Sequence, residues 1–169
     1  MWCGTLMPMS YAFVERSDGI IEIQMPGATS LLVEGLNDSV SSRAPRGVVR
    51  GGLSTYWIDR ADAAVRKAVE YGITEPFAAG NATYLQIDGE NVVAAYEWDS
   101  TGVDGERMPI GEFLALLAEW RAKVIAAGGV SPPDAALLAD EPIRSGWDRD
   151  DPGRPTPLQA GSTRSRANK

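Results

Sequence analysis

The chain has 169 residues, 44% of them hydrophobic, a net charge of −7 and no histidine. That length fills one core of ordinary size and leaves little for a second. The charge disfavours direct contact with nucleic acid phosphates or anionic lipid and favours basic partners, while the missing histidine removes Ser-His-Asp and Cys-His catalysis and the commonest zinc ligand.

A single cysteine, Cys3, rules out an internal disulfide. Met1 to Pro8 contain neither a basic leader nor an apolar run suited to a signal peptide or membrane span, so the cytoplasm is the expected setting. Residues 1–10 are expected to be a flexible extension, 11–143 one domain, and 144–169 a disordered or partner-dependent tail. That last stretch holds six bases and three acids, which concentrates the negative charge in the body.

Tyr11 to Arg16 and Ile20 to Gln24 flank Ser17-Asp18-Gly19, and Asp-Gly suits a two-residue hairpin turn. Pairing across that turn predicts Val14 on one face with Ile21 and Ile23, and Glu15 with Glu22 on the other. Ser30 to Glu34 fits a third strand, although the short run Leu31-Leu32-Val33 does not fix its type. Gly35 to Gly52 is rich in Gly, Ser, Asn and Pro and reads as a surface loop with Arg43, Arg46 and Arg50.

After a β-prone stretch at Ser54 to Ile58, Asp59 is the expected N-cap of a helix that runs to about Tyr71 and closes at Gly72. Its expected buried stripe is Ala61, Ala64, Val65, Ala68 and Val69. Thr83 to Asp88 and Asn91 to Trp98 predict a second hairpin whose core face carries Leu85, Ile87, Val92, Ala94, Tyr96 and Trp98. Phe113, Leu116, Leu117, Trp120 and Val124 recur at spacings of three and four, which predicts a helix from about Ile110 to Ala127. A short helix is expected over Ser131 to Ala139. Together these elements define an α+β fold, a mainly antiparallel sheet of hairpins with two principal helices packed on one face.

Few residues suggest chemistry. Asp99-Ser100-Thr101-Gly102-Val103-Asp104-Gly105-Glu106 offers oxygen ligands without EF-hand spacing, so no metal is expected. Glu97 and Asp99 share a strand face, as an acid/base pair would, yet nothing places them in a cleft; no catalytic residue and no cofactor are assigned. Pro45 to Leu53 faintly resembles the Arg/Gly pyrophosphate loop of coenzyme A-dependent acetyltransferases, without its alternating glycines. One alternative is thus a small coenzyme- or nucleotide-binding enzyme using the Arg43–Gly52 loop; another is a non-catalytic subunit or scaffold whose tail folds on a partner.

From Asp88 to Glu119 eight carboxylates face one base, Arg107. The acidic run Glu97 to Glu106 leads through Met108-Pro109-Ile110 into Glu112-Phe113 and on to Trp120. Here the chain resembles immunity proteins of bacterial polymorphic-toxin and contact-dependent inhibition systems, in many of which a hairpin and acidic loop precede a final helix of the pattern Pro-x-x-x-Phe-x-x-x-Leu-x-x-Trp. The resemblance spans about forty residues. It implies a cytoplasmic inhibitor that neutralises a basic partner, such as a nuclease toxin, by stoichiometric binding, with Glu97, Asp99, Asp104, Glu106 and Glu112 as the contact residues.

Overall fold

A computed structural model describes residues 11–45, 52–99 and 105–131 and the backbone of Ile143–Arg144. The chain is α+β. Strands β1 (Ala12–Glu15) and β2 (Ile21–Gln24) form a hairpin of their own; helices α1 (Leu31–Ser39) and α2 (Tyr56–Tyr71) follow. Then come β3 (Ala78–Ala79), β4 (Thr83–Asp88), β5 (Asn91–Tyr96), β6 (Glu106–Pro109), α3 (Ile110–Ala126) and β7 (Ile143–Arg144). The main sheet has the order β6-β5-β4-β3-β7, antiparallel except where β7 runs parallel to β3.

One face of this sheet, with Ala78, Leu85, Ile87, Val92, Ala94 and Met108, shares a hydrophobic core with residues of all three helices. Helix α3 buries Phe113, Leu116, Leu117, Trp120 and Val124 as its spacing predicts. Helix α2 buries Trp57, Ile58, Ala61, Val65 and Ala68; Val69, one residue off this stripe, is exposed rather than buried.

The segment Ser30 to Glu34 is helical, not a strand. Ser30 accepts a hydrogen bond from the Val33 N–H and serves as the N-cap of α1; Leu32, Val33 and Leu36 then fall on one buried face. At Gly35 a Cβ would stand 3.1 Å from Leu85 Cδ2, so the missing side chain lets α1 lie close on the sheet. The expected surface loop therefore begins only after α1, and its first residues are not at the surface. Val40, Ser42 and Ala44 are buried, and Ala44 N–H to Gly52 O and Ser54 N–H to Ser42 O bonds pinch its base. Arg46 and Arg50 lie outside the described residues, as do the expected short helix after Ser131 and the tail beyond Arg144, whose backbone pairs in β7.

The first hairpin turns over three residues, not two. Arg16 N–H bonds to Ile20 O, Gly19 takes φ +80°, and the register pairs Glu15 with Ile21, Val14 with Glu22 and Phe13 with Ile23. One extra loop residue reverses the parity of the strand before it, so Val14 shares the face of Glu22 and stands exposed while Phe13 packs on the core. The hairpin does not join the main sheet. Its β2 edge is met by side chains: Ser42 Oγ accepts from Ile21 N–H at 2.9 Å, Asn37 exchanges two bonds with the Ile23 backbone, and Trp120 Nε1 donates to Ile21 O at 2.9 Å.

Helix α2 starts at Tyr56, with Thr55 rather than Asp59 in the cap position. Asp59, in the first turn, accepts from Thr55 Oγ1 at 2.6 Å and from Arg121 Nε at 2.7 Å, and so joins α2 to α3. Only Ser54 of the β-prone stretch before it makes a strand-like bridge, to Val130.

Asp38, near the end of α1, organises the turn between β3 and β4 by accepting from Asn81 N–H and Nδ2, Ala82 N–H and Thr83 Oγ1. A Cβ at Gly80 would overlap this carboxylate. Gly80→Ala is expected to lower stability by about 1–3 kcal/mol, read as a shift in the urea unfolding midpoint. In an Asp38→Ala background the added cost should shrink, as for any two groups in contact.

Candidate functional site

Strand β5 stops at Tyr96 because the chain turns there. Glu97 N–H still bonds to Ala82 O, but Asp99 N–H closes back on Tyr96 O at 2.9 Å and Tyr84 OH donates to Asp99 O at 3.3 Å. Trp98 is the third residue of this turn. Strand parity no longer governs it, and instead of entering the core it is 72% exposed and stacks flat on Tyr96, with ring centroids 4.3 Å apart and planes 9° from parallel. The polar run that follows, Asp99-Ser100-Thr101-Gly102, was the available sign of a turn. Trp120 is core as expected.

Tyr96 is also a wall of an open groove of about 670 Å³ between the end of β2 and the first turns of α1. Met25, Leu31 and Val33 supply apolar lining; Glu34 and Glu106 supply carboxylates. Glu106 is not in a loop, since the acidic run ends in strand β6 and its side chain lies on the core face of the sheet. Both of its oxygens accept from Ser30 Oγ, at 2.8 and 2.9 Å, and one also accepts from Leu32 N–H at 3.1 Å. Together with the Val33 N–H that bonds to Ser30 Oγ, these contacts satisfy two donors that the first turn of a helix otherwise leaves open, and they set a negative charge at its positive end.

The five expected contact residues are thus divided. Glu106 is held at the start of α1, and Glu112, exposed in the first turn of α3, reaches the same neighbourhood, because both raise the energy of an ionised Tyr11. Glu97 is exposed beside the aromatic pair and Asp99 is half-buried in the turn. Asp104 lies outside the described residues. Among the described residues Glu34 and Glu97 have neither a hydrogen bond nor an ion pair through their carboxylates. Arg107, the one base in the acidic stretch, is paired with Asp88 on the sheet face away from Glu106.

The base of the arginine loop forms a separate depression of about 180 Å³ beside the first hairpin. Its charges are already matched: Arg43 bonds to Asp18 at 3.1 Å, and Arg16 to Glu22 at 2.6 Å. Among the described residues no cluster of three or more Cys, Asp or Glu side chains could hold a metal ion, and no helix is long and apolar enough to cross a membrane. No protein-family model, curated protein or solved structure matches the chain.

Glu106→Gln leaves an amide NH₂ facing one of the donors the carboxylate now accepts from, and is expected to cost about 1–2 kcal/mol, measured by urea unfolding. The Tyr11 phenol is held above its ordinary value of 10.0, first by burial and then by the Glu106 and Glu112 charges. The folded state therefore favours the neutral phenol. Its contribution to stability is complete below the unfolded value and lost as pH rises through the higher folded one. Ultraviolet titration should reveal a phenol that ionises above pH 10 and is absent from Tyr11→Phe, and the stability advantage of the parent protein over that variant should fall in the same range.

Proposed function

We propose that this protein is a cytoplasmic binding protein of the immunity type, which neutralises a basic toxin by stoichiometric association through the edge formed by Glu97, Trp98, Asp99 and the groove beside them. The observation that carries this reading is the exposed Trp98, stacked on Tyr96 and next to the Glu97 carboxylate, which has no described partner. A large aromatic ring left in water is a common anchor of protein interfaces. Glu97 beside it, and Glu34 in the groove that Tyr96 lines, supply the charge complement to a basic surface, which speeds association and selects against acidic partners. The remaining expected contact residues, Asp104, Glu106 and Glu112, belong to the same acidic segment; Glu106 also braces α1, so its own part in binding is the least separable from folding. The paired arginines at the base of the Arg43–Gly52 loop give the coenzyme reading no comparable support.

The test is capture of the tagged protein's partners from its native cytosol at low and high salt, alongside a Glu97→Lys, Trp98→Ala double variant. A near-stoichiometric basic protein, retained at low salt and released at high salt, should lose at least tenfold in affinity for the variant while the variant's unfolding midpoint stays near that of the parent. A loss of 1.4 kcal/mol corresponds to that factor. Absence of any basic partner at either salt, or equal affinity for the two proteins, would reject the reading.

A further inference from the structure

We propose that the groove bounded by Tyr96 receives an arginine-bearing extended segment of the basic partner, with a guanidinium between the Glu34 carboxylate and the Tyr96–Trp98 aromatic pair. This deepens the binding reading above and rests on it. The groove runs between the end of β2 and the start of α1, and its lining combines apolar Met25 and Leu31 with carboxylates and the Tyr96 ring. Glu106 is already engaged by Ser30 and Leu32, so the carboxylate available to an incoming cation is that of Glu34, exposed on α1. Trp98 extends the aromatic surface from Tyr96 outward into solvent.

A carboxylate beside flat aromatic rings selects a planar cation. Guanidinium stacks on an aromatic face and still presents its N–H fork to a carboxylate, whereas an ammonium is a compact, strongly hydrated point charge that gains less from the rings. An extended backbone would leave room for its side chains to enter between β2 and α1, while Met25 and Leu31 cover the aliphatic stem.

The full chain is titrated with a terminally blocked hexapeptide of alternating glycine and arginine, and with its lysine counterpart, at low salt. Binding is followed through tryptophan indole resonances by NMR, the Trp120 indole being buried and bonded to Ile21 O. The arginine peptide should bind more tightly than the lysine peptide and shift the Trp98 resonance. Trp98→Ala and Glu34→Gln, both at exposed positions, should each weaken it by roughly three- to thirty-fold. No binding of the arginine peptide, equal binding of the two peptides, or affinity unchanged by both substitutions would overturn the groove assignment. Failure of the broader reading is seen separately, as absence of a captured basic protein; a captured partner whose affinity is indifferent to Glu34→Gln would reject the groove alone.

Discussion

Glu106 joins the parts of this protein that no local pattern would bring together. Its carboxylate comes from an edge strand of the main sheet and ends at the first turn of α1, seventy-six residues earlier in the chain, where it takes the Ser30 hydroxyl and the Leu32 N–H. A helix start is short of acceptors and carries partial positive charge; a carboxylate on a sheet edge needs donors. Each satisfies the other, and the contact fixes where α1 lies across the sheet. Ser30 and Glu106 also line the groove, together with Glu34 of α1 and Tyr96, so the contact that places α1 also shapes the groove.

The first hairpin is attached by a comparable economy of side chains. Strand β2 has no second strand beside it, yet its Ile21 and Ile23 backbone groups are met by Ser42, Asn37 and the Trp120 indole. Those three residues come from the segment after α1, from α1 and from α3, so the hairpin is tied to both helices that flank it. Buried backbone groups must find partners, and here side chains stand in for a ladder. Tyr11 enters the body at the start of this hairpin, close enough to Glu106 and Glu112 for their charges to oppose its ionisation.

Charge is arranged unevenly over what remains at the surface. On one side of the sheet Arg107 is matched by Asp88, and at the first hairpin Arg16 and Arg43 are matched by Glu22 and Asp18. Beside the Tyr96–Trp98 pair the carboxylates of Glu34 and Glu97 are not matched among the described residues. The aromatic pair therefore lies beside carboxylate charge that no described base offsets, and a binding anchor and a steering field can act together there.

Periodicity alone determined the α+β class, the α3 helix with its five buried residues, most of the α2 stripe and the inward face of the β4–β5 hairpin, because each depends on side chains a few positions apart along a regular element. The acidic character of the segment from Asp88 to Glu119 was equally plain. What the sequence left undecided depended on closure and on distant partners. A three-residue turn instead of two reversed the faces of β1; a turn after Tyr96 released Trp98 from the core; Ser30 with Glu106 made a helix of a run that fitted a strand. The division of the carboxylates, Glu106 taken up by α1 while Glu97 and Glu34 face solvent, came from tertiary structure for the same reason: a charged group's role is fixed by what stands opposite it in space, and that neighbour lies far away along the chain.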